Sequence, residues 1–295
     1  MNLPKQVEIV DVGPRDGLQN IQTLVPTEQK VKLINGLTGA GVRRMEATSF
    51  VHPKWVPQLA DAEQVLAQIV RPEGARFMAL IPNLKGYERA KASGAVSEVA
   101  LVVAASETMN QKNVNMLIEA SLEHCRIIID RAKSDGISVR GSIGTAFGCP
   151  YEGLVPVQPV LNITQQLFDM GADEVMFADT IGCANPAQVY DLFVRVKDRW
   201  PEQPVAAHFH DTRHLALANA LAAVQAGVRI FDASVGGLGG CPFTPKGAGN
   251  VATERLVFMF HEMGIQTGID YNGLLEVSEF ARSLKQPESG GSVCS

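Results

Sequence analysis

The sequence predicts an α/β fold, a closed (β/α)8 TIM barrel with a short C-terminal helical extension. Short apolar runs rich in β-branched residues alternate with longer amphipathic segments, eight such runs can be counted, and the repeat is about 30 residues long. The runs are nearly continuously apolar, as is typical of parallel strands buried on both faces. A length of 295 residues would fit one large barrel or two medium domains, and the count of eight units favours one barrel.

The predicted elements alternate along the chain. The predicted strands cover residues 7–12, 43–47, 76–81, 98–103, 138–143, 174–178, 205–209 and 229–234. The predicted helices cover residues 27–40, 59–70, 84–93, 114–134, 157–170, 186–199, 215–226 and 250–263. Asn185 is a suitable N-cap with Pro186 in the first turn, and Gly171 and Gly227 stand where helices should end.

An open, doubly wound sheet is the alternative architecture. If it bound a dinucleotide, it should carry a Gly-x-Gly-x-x-Gly turn after the first strand, but residues 13–17 read Gly-Pro-Arg-Asp-Gly. We therefore predict a catalytic barrel over residues 1–268. Residues 269–295 are predicted to form one more helix, 271–284, and a tail, packed on the barrel or partly disordered.

Composition excludes several classes of protein. Hydrophobic residues make up 46% and charged residues 19%, which indicates a folded chain and not a disordered one. With 26 basic and 31 acidic residues the net charge is −5, so a nucleic-acid partner is not expected. No run of apolar residues is long enough to span a membrane. Five scattered cysteines without a Cys-x-x-Cys pair, and an N-terminus without a signal-like apolar region, predict a cytoplasmic protein.

In a barrel of this kind the active site is built at the C-terminal ends of the strands. The polar residues expected there are Arg15 and Asp16 after strand 1, Glu46 in strand 2, Asp179 after strand 6, His208, His210 and Asp211 at the end of strand 7, Cys241 after strand 8, and Asn250 at the start of the last barrel helix.

The His208-x-His210 pair is the strongest single signal. Residues i and i+2 of a strand point to the same side, so the two imidazoles should converge and bind a metal ion. A pair of hydrogen-bonding histidines in a polar rim is the alternative. Asp16 can supply an acidic ligand, and Asp211 is the weaker competitor because it should alternate to the other face. Nitrogen and oxygen ligands suit Mg²⁺ or Mn²⁺ better than Zn²⁺.

Three further residues allow two interpretations each. Arg15 is either a surface ion-pair partner or a cation directed into the barrel mouth. Glu46, as an inward carboxylate, needs a partner or a function, because burying a lone carboxylate is costly. Cys241 follows four glycines, and it is either a small buried cysteine in a turn or an active-site thiol on a closing loop.

The motifs around these residues resemble those of the 3-hydroxy-3-methylglutaryl-CoA lyase family, part of a wider group of metal-dependent lyases and acyl transferases on TIM barrels. The similarity runs in order from about residue 7 to residue 270. It rests on Gly-Pro-Arg-Asp-Gly-Leu-Gln-Asn at 13–20, Glu-Ala-Thr-Ser-Phe at 46–50, Pro-Lys-Trp-Val-Pro-Gln at 53–58, Gly-Cys-Pro-Tyr-Glu-Gly at 148–153, Asp-Thr-Ile-Gly at 179–182, His-Phe-His-Asp-Thr at 208–212 and Ser-Val-Gly-Gly-Leu-Gly-Gly-Cys-Pro at 234–242.

This resemblance implies a retro-Claisen cleavage of 3-hydroxy-3-methylglutaryl-CoA to acetyl-CoA and acetoacetate, as in leucine degradation, with a homodimer as the expected assembly. The metal ligands it implies are Asp16, His208, His210 and the amide oxygen of Asn250. The catalytic residues it implies are Arg15, Glu46, Asp179, His208 and Cys241, with the order of proton transfers left open. The chain departs from the family at Arg213 and His214, which bears on the acyl group accepted.

Several rival functions remain. A lyase for a longer-branched 3-hydroxy-3-alkylglutaryl-CoA is the nearest alternative. Condensing synthases of the same group usually have an extra C-terminal region and read His-x-His-Asn-Asp, and carboxyltransferases carry a metal-binding lysine in mid-barrel, which strand 5 lacks. Amidohydrolase barrels place their His-x-His after strand 1. A non-enzymatic barrel would not be expected to keep all of these polar residues together.

Overall fold

The computed structural model describes residues 3–240 and 249–285. Within these ranges eight parallel strands close into a barrel in which each strand pairs with its neighbours in the chain and the last returns to the first, which confirms the predicted TIM barrel. The barrel strands are β1 (Glu8–Asp11), β2 (Arg44–Ser49), β3 (Arg76–Leu80), β4 (Glu98–Ala104), β5 (Ser138–Gly144), β6 (Glu174–Asp179), β7 (Val205–Phe209) and β8 (Ile230–Ala233).

Strands β1 and β8 pair directly and close the barrel, with Asp11 of β1 in register with Ala233 of β8.

Helices cover the outside of the barrel. They are α1 (Thr27–Gly39), α2 (Ala62–Gln68), α3 (Leu84–Ala92), α4 (Glu107–Val114), α5 (Ile118–Asp135), α6 (Val157–Met170), α7 (Pro186–Arg199), α8 (Ala216–Gln225), α9 (Thr253–Glu262) and α10 (Tyr271–Ser283). None of these described helices is long and apolar enough to cross a membrane.

Two predicted helices differ from the structure. The helix predicted over 114–134 corresponds to α5, which begins only at Ile118. The preceding helix α4 was not predicted, and it ends at its C-cap residue Asn115, which takes a left-handed conformation with φ of 56°. The helix predicted over 59–70 is shorter, since Pro57–Leu59 forms a separate 3₁₀ turn before α2. The predicted cap of α7 is confirmed, because the Asn185 side chain accepts from the Gln188 amide and the Gln188 side chain accepts from the Asn185 amide.

The apolar core lies between the sheet and the helices. Phe177 of β6 meets Phe193 of α7 edge-to-face with ring centroids 5.4 Å apart, and Phe231 of β8 packs on Phe260 of α9 at 5.1 Å. These contacts fix the strand ends, and therefore the mouth of the barrel, relative to the helices that follow them.

The inside of the barrel contains a buried column of charged side chains. Arg44 Nε and Glu98 Oε2 are 2.8 Å apart, and Arg44 Nη1 and Glu174 Oε2 are also 2.8 Å apart. Arg140 Nε lies 2.6 Å from Glu174 Oε1, and Arg140 Nη2 lies 2.8 Å from Asp232 Oδ1. The column runs from the floor of the barrel towards the site, and each buried charge in it has an opposite partner.

Helix α10 packs beside the mouth. Leu274 and Ala281 are buried, and the Lys285 Nζ donates to the Gly237 carbonyl oxygen at 3.0 Å. The division of the chain at residue 268 stays a prediction.

Candidate active site

A tight turn after β1 presents Arg15 and Asp16. Gly13–Gly17 forms one π-helical turn, and the Gly13 amide donates to Asp11 Oδ1 at 2.8 Å. A Cβ on Gly17 would lie 2.7 Å from Leu238 Cβ, so only glycine allows this close approach of the turn to the loop after β8. The turn thereby brings the first and last strand ends of the barrel together.

Arg15 lies partly buried at the mouth of the barrel, paired with two carboxylates, which supports the cation directed into the mouth over the surface ion-pair residue. Its Nε donates to Glu46 Oε2 at 2.6 Å, and its Nη1 donates to Asp16 Oδ1 at 2.8 Å. Burial raises the pKa of Glu46, and the neighbouring Arg15 opposes that effect. One guanidinium therefore orients two carboxylates and leaves an excess of negative charge beside it.

Asp16, His208 and His210 form one cluster, as predicted. Each offers a ligand atom, and the three atoms lie within 4.8 Å of one another. Burial alone would raise the pKa of Asp16, but Arg15 and the two imidazoles hold it at about 2. Asp211 does not join the cluster, because its Oδ1 accepts from the Ala216 amide at 3.1 Å at the start of α8. The preference for Asp16 over Asp211 is therefore consistent with the geometry.

Asn250 completes the cluster, although not from the position predicted. It lies in an antiparallel bridge with His210, ahead of α9, so the prediction that it begins the last barrel helix is wrong. The bridge places its side chain against the turn after β1, and its Nδ2 donates to Asp16 Oδ2 at 2.7 Å and to the Leu238 carbonyl oxygen at 3.3 Å.

The free oxygen of Asn250 fits a metal ligand. Among the described residues few buried side-chain polar atoms lack a hydrogen-bond partner, and Asn250 Oδ1 is one of them. An amide oxygen, a carboxylate and two imidazoles form a donor set that suits a divalent cation of the Mg²⁺ or Mn²⁺ kind. The residues present thus fit the metal ion that the sequence implied.

Asp232 is a further residue of the site that the sequence pattern did not predict. Its Oδ2 lies 3.1 Å from His208 Nδ1, and the Asp232 and His208 side chains are 1% and 8% exposed. Burial alone would raise the pKa of Asp232, but Arg140 and His208 lower it, so it stays a carboxylate. The signal was present in the sequence, because Asp232 is an acidic residue inside the apolar strand β8.

The remaining predicted catalytic residues have different outcomes. Asp179 is fully buried at the end of β6, where its oxygens accept from the amides of Cys183 at 2.9 Å and Ala184 at 3.0 Å. Burial raises the pKa of Asp179 and these amides oppose that rise. Asp179 therefore orders the loop after β6, and its oxygens are not part of the ligand cluster. Cys241 lies outside the described residues.

A closed barrel with an aspartate and two histidines converging at its mouth, beside a buried asparagine, defines the class as TIM-barrel proteins with a candidate divalent-metal site. The pattern of the HMGL-like family matches residues 6–281. The chain belongs to the HMGL-like family.

Three relatives illustrate the similarity. The mitochondrial hydroxymethylglutaryl-CoA lyase of Bos taurus is 48% identical over 277 residues, which cover 94% of this chain and 85% of the relative. The crystal structure of an HMG-CoA lyase from Bacillus subtilis matches with a TM-score of 0.94 at 43% identity and covers 97% of this chain and 96% of its own. An HMG-CoA lyase from Acinetobacter baumannii, in complex with coenzyme A and 3-methylmalate, matches with a TM-score of 0.90 at 41% identity, covering 95% of this chain and 92% of its own.

Proposed function

We propose that this chain is a divalent-metal-dependent carbon–carbon lyase that cleaves 3-hydroxy-3-methylglutaryl-CoA to acetyl-CoA and acetoacetate. The observation that carries the proposal is the convergence of Asp16, His208 and His210 beside the Arg15–Glu46 pair, with the side chain of Asn250 hydrogen-bonded to Asp16. Membership of the HMGL-like family and the similarity to hydroxymethylglutaryl-CoA lyases support the substrate.

The reaction has two chemical requirements. The tertiary hydroxyl of the substrate must lose its proton so that the hydroxyl-bearing carbon becomes the ketone of acetoacetate. The bond to the neighbouring methylene then breaks, and its electron pair passes into the thioester as the enolate of acetyl-CoA, which is finally protonated on carbon. A bound divalent ion supplies Lewis acidity that lowers the pKa of a hydroxyl group coordinated to it.

Side chains of the protein would hold the ion and stabilise the negative charge that develops on the substrate. Asp16, His208, His210 and Asn250 would hold the ion. Arg15, fixed by Glu46 and Asp16, would present its guanidinium to the thioester oxygen where negative charge develops. Because the orientation of Arg15 is set before substrate arrives, little reorganisation is needed during bond cleavage.

The proton transfers are assigned by proximity and by resemblance. Glu46, whose pKa burial raises and which pairs with Arg15 beside the cluster, can exchange a proton with the hydroxyl. The resemblance implies a catalytic role for His208 as well, and in the proposed site His208 contributes as a metal ligand. By resemblance, Asp179 is a further candidate for this proton transfer, from the end of strand β6. Cys241 is proposed to protonate the enolate carbon from the glycine-rich loop that begins at Gly236.

Further aspects of the proposal concern the metal and the setting. Mg²⁺ or Mn²⁺ is the proposed metal, and Zn²⁺ is the less favoured choice. We propose a homodimer and a cytoplasmic location, and a role in leucine degradation. A related longer-branched 3-hydroxy-3-alkylglutaryl-CoA is the alternative substrate, because the exposed Arg213 and His214 differ from the family at the rim.

Measurement of metal content and product release tests this function. The purified protein, stripped with EDTA, should cleave the C6 substrate only after Mg²⁺ or Mn²⁺ is added, and acetoacetate should be released. Asp16→Asn combined with His210→Ala should lose both metal binding and cleavage. Wild-type metal binding in that double variant would refute the ligand assignment, and faster cleavage of a longer-branched thioester would favour the alternative substrate.

A further inference from the structure

We propose that Asp232, held in place by Arg140, is a positioning residue that fixes the tautomer of His208 so that its Nε2 is available as a metal ligand. The proposal rests on the function proposed above, and it concerns a residue on β8 that contacts neither the expected metal nor substrate.

The first argument is the geometry of the His208–Asp232 contact. A carboxylate can only accept hydrogen bonds, and Asp232 Oδ2 lies 3.1 Å from His208 Nδ1. The proton of a neutral His208 must therefore be on Nδ1. Nε2 then carries the lone pair that a cation requires, and the ring is held at the angle set by β8. Carboxylates or carbonyls often fix metal-binding histidines in this way.

The second argument is that Arg140 fixes the carboxylate in turn. Arg140 Nη2 donates to Asp232 Oδ1 at 2.8 Å, so the two oxygens of Asp232 face two different partners. Arg140 is itself held by Glu174, whose Oε1 lies 2.6 Å from Arg140 Nε. Since all three side chains are buried, the carboxylate of Asp232 cannot rotate without breaking ion pairs in the charged column.

This arrangement gives an unusual expectation for Asp232→Asn. A guanidinium has donors and no acceptor, so the amide oxygen of the new side chain must face Arg140. Its NH₂ group must then face His208 Nδ1, which becomes the acceptor. The proton of His208 is driven onto Nε2, where it blocks the metal. Asp232→Ala imposes no tautomer, because the ring is released and Arg140 still pairs with Glu174.

The order of the two variants therefore separates positioning from structural support. A merely structural role predicts that Asp232→Ala, which removes more contacts, is the worse variant. The tautomer role predicts that Asp232→Asn is the worse one. Glu98→Gln is the matched control, because it removes a carboxylate from the same buried column, where Glu98 pairs with Arg44 and Arg76, without touching His208, Asp232 or Arg140.

The test is Mn²⁺ affinity measured by electron paramagnetic resonance of free Mn²⁺ on the full chain, with the folded state of each variant verified by urea unfolding. We expect Asp232→Asn to bind Mn²⁺ about 10- to 100-fold more weakly than wild type. Asp232→Ala should lose less than Asp232→Asn, and Glu98→Gln should stay near wild type. Wild-type affinity in Asp232→Asn, or a greater loss in a folded Asp232→Ala, would overturn the proposal.

A second measurement does not depend on affinity. In ¹⁵N-histidine-labelled protein saturated with Mg²⁺, long-range ¹H–¹⁵N spectra should show the His208 proton on Nδ1. Finding the proton on Nε2 overturns the proposal even if Asp232→Asn fails to fold. His208→Ala distinguishes the two levels of failure. If His208→Ala still bound Mn²⁺, the assignment of the metal site itself would be refuted. If His208→Ala lost Mn²⁺ binding while Asp232→Asn bound it fully, only the positioning role of Asp232 would be refuted.

Discussion

The side-chain nitrogen of Asn250 donates a 2.7 Å hydrogen bond to Oδ2 of Asp16, across 234 positions of the chain. The bond fixes which end of the amide faces the aspartate. The nitrogen is used there, and the amide oxygen has no hydrogen-bond partner among the described residues. A single hydrogen bond thus orients two of the four proposed metal ligands.

Asn250→Ala should weaken metal binding by about 10-fold or more, because it removes one ligand and the donor that orients Asp16. Isothermal titration with Mn²⁺ would measure this loss. Asn110→Ala is the control, since Asn110 is also buried but both ends of its amide are hydrogen-bonded to Ala104, Met116 and Ser121. Equal affinity in Asn250→Ala and wild type would contradict the assignment of Asn250.

Arg15→Lys should lower kcat by about 10²- to 10³-fold, the usual cost of losing one donor to a developing oxyanion. Lysine keeps the charge, but it lacks the planar fork that lets Arg15 reach Glu46 and Asp16 at once. Steady-state cleavage of the C6 thioester would measure the effect. Arg195→Lys, in an exposed pair with Asp191, should leave kcat unchanged. An Arg15→Lys enzyme with wild-type kcat would exclude the guanidinium from charge stabilisation.

Arg44→Met should lower the free energy of unfolding by about 3–5 kcal/mol. The substitution removes the buried cation that faces Glu98 and Glu174 and leaves their carboxylates without it. Urea unfolding would measure the difference. Arg126→Met, whose partner Glu123 is mostly exposed, is expected to cost no more than about 1 kcal/mol. If the two variants were equally stable, the charged column would have no role in holding the barrel together.

The stability of the protein should depend on pH through Asp11. Burial raises the pKa of Asp11 from 3.8 to about 7, despite the hydrogen bonds from Thr253, Gly13 and Val235. Between these two pH values the folded chain keeps a proton that the unfolded chain releases. The contribution of Asp11 is therefore fully present below about pH 4 and is lost as pH rises through about 7, with a slope of at most about 1.4 kcal/mol per pH unit.

Asp11→Asn isolates this effect, because other titrating groups are common to both proteins. Urea unfolding of both chains at several pH values from 4 to 8 should show that the stability of wild type relative to Asp11→Asn falls as pH rises. A difference that is the same at every pH would show that Asp11 titrates near its ordinary value.

The sequence by itself determined the class of fold and most of the site. Eight apolar runs at a regular spacing predict a closed barrel because strands buried on both faces leave a strong local pattern. The rule that strand ends carry the site then identified Arg15, Asp16, Glu46, His208 and His210, all of which the structure brings together at the mouth.

Tertiary structure decided what depends on contacts between distant segments. The sequence allowed Arg15 to be a surface residue, and only the closure of the barrel puts its guanidinium against Glu46. In the sequence Asp232 is one acidic residue within an apolar strand, and its role as a partner is evident only where Arg140 and His208 lie next to it. Local patterns encode which face of a strand is buried, whereas the pairing of buried charges depends on neighbours that only the closed barrel supplies.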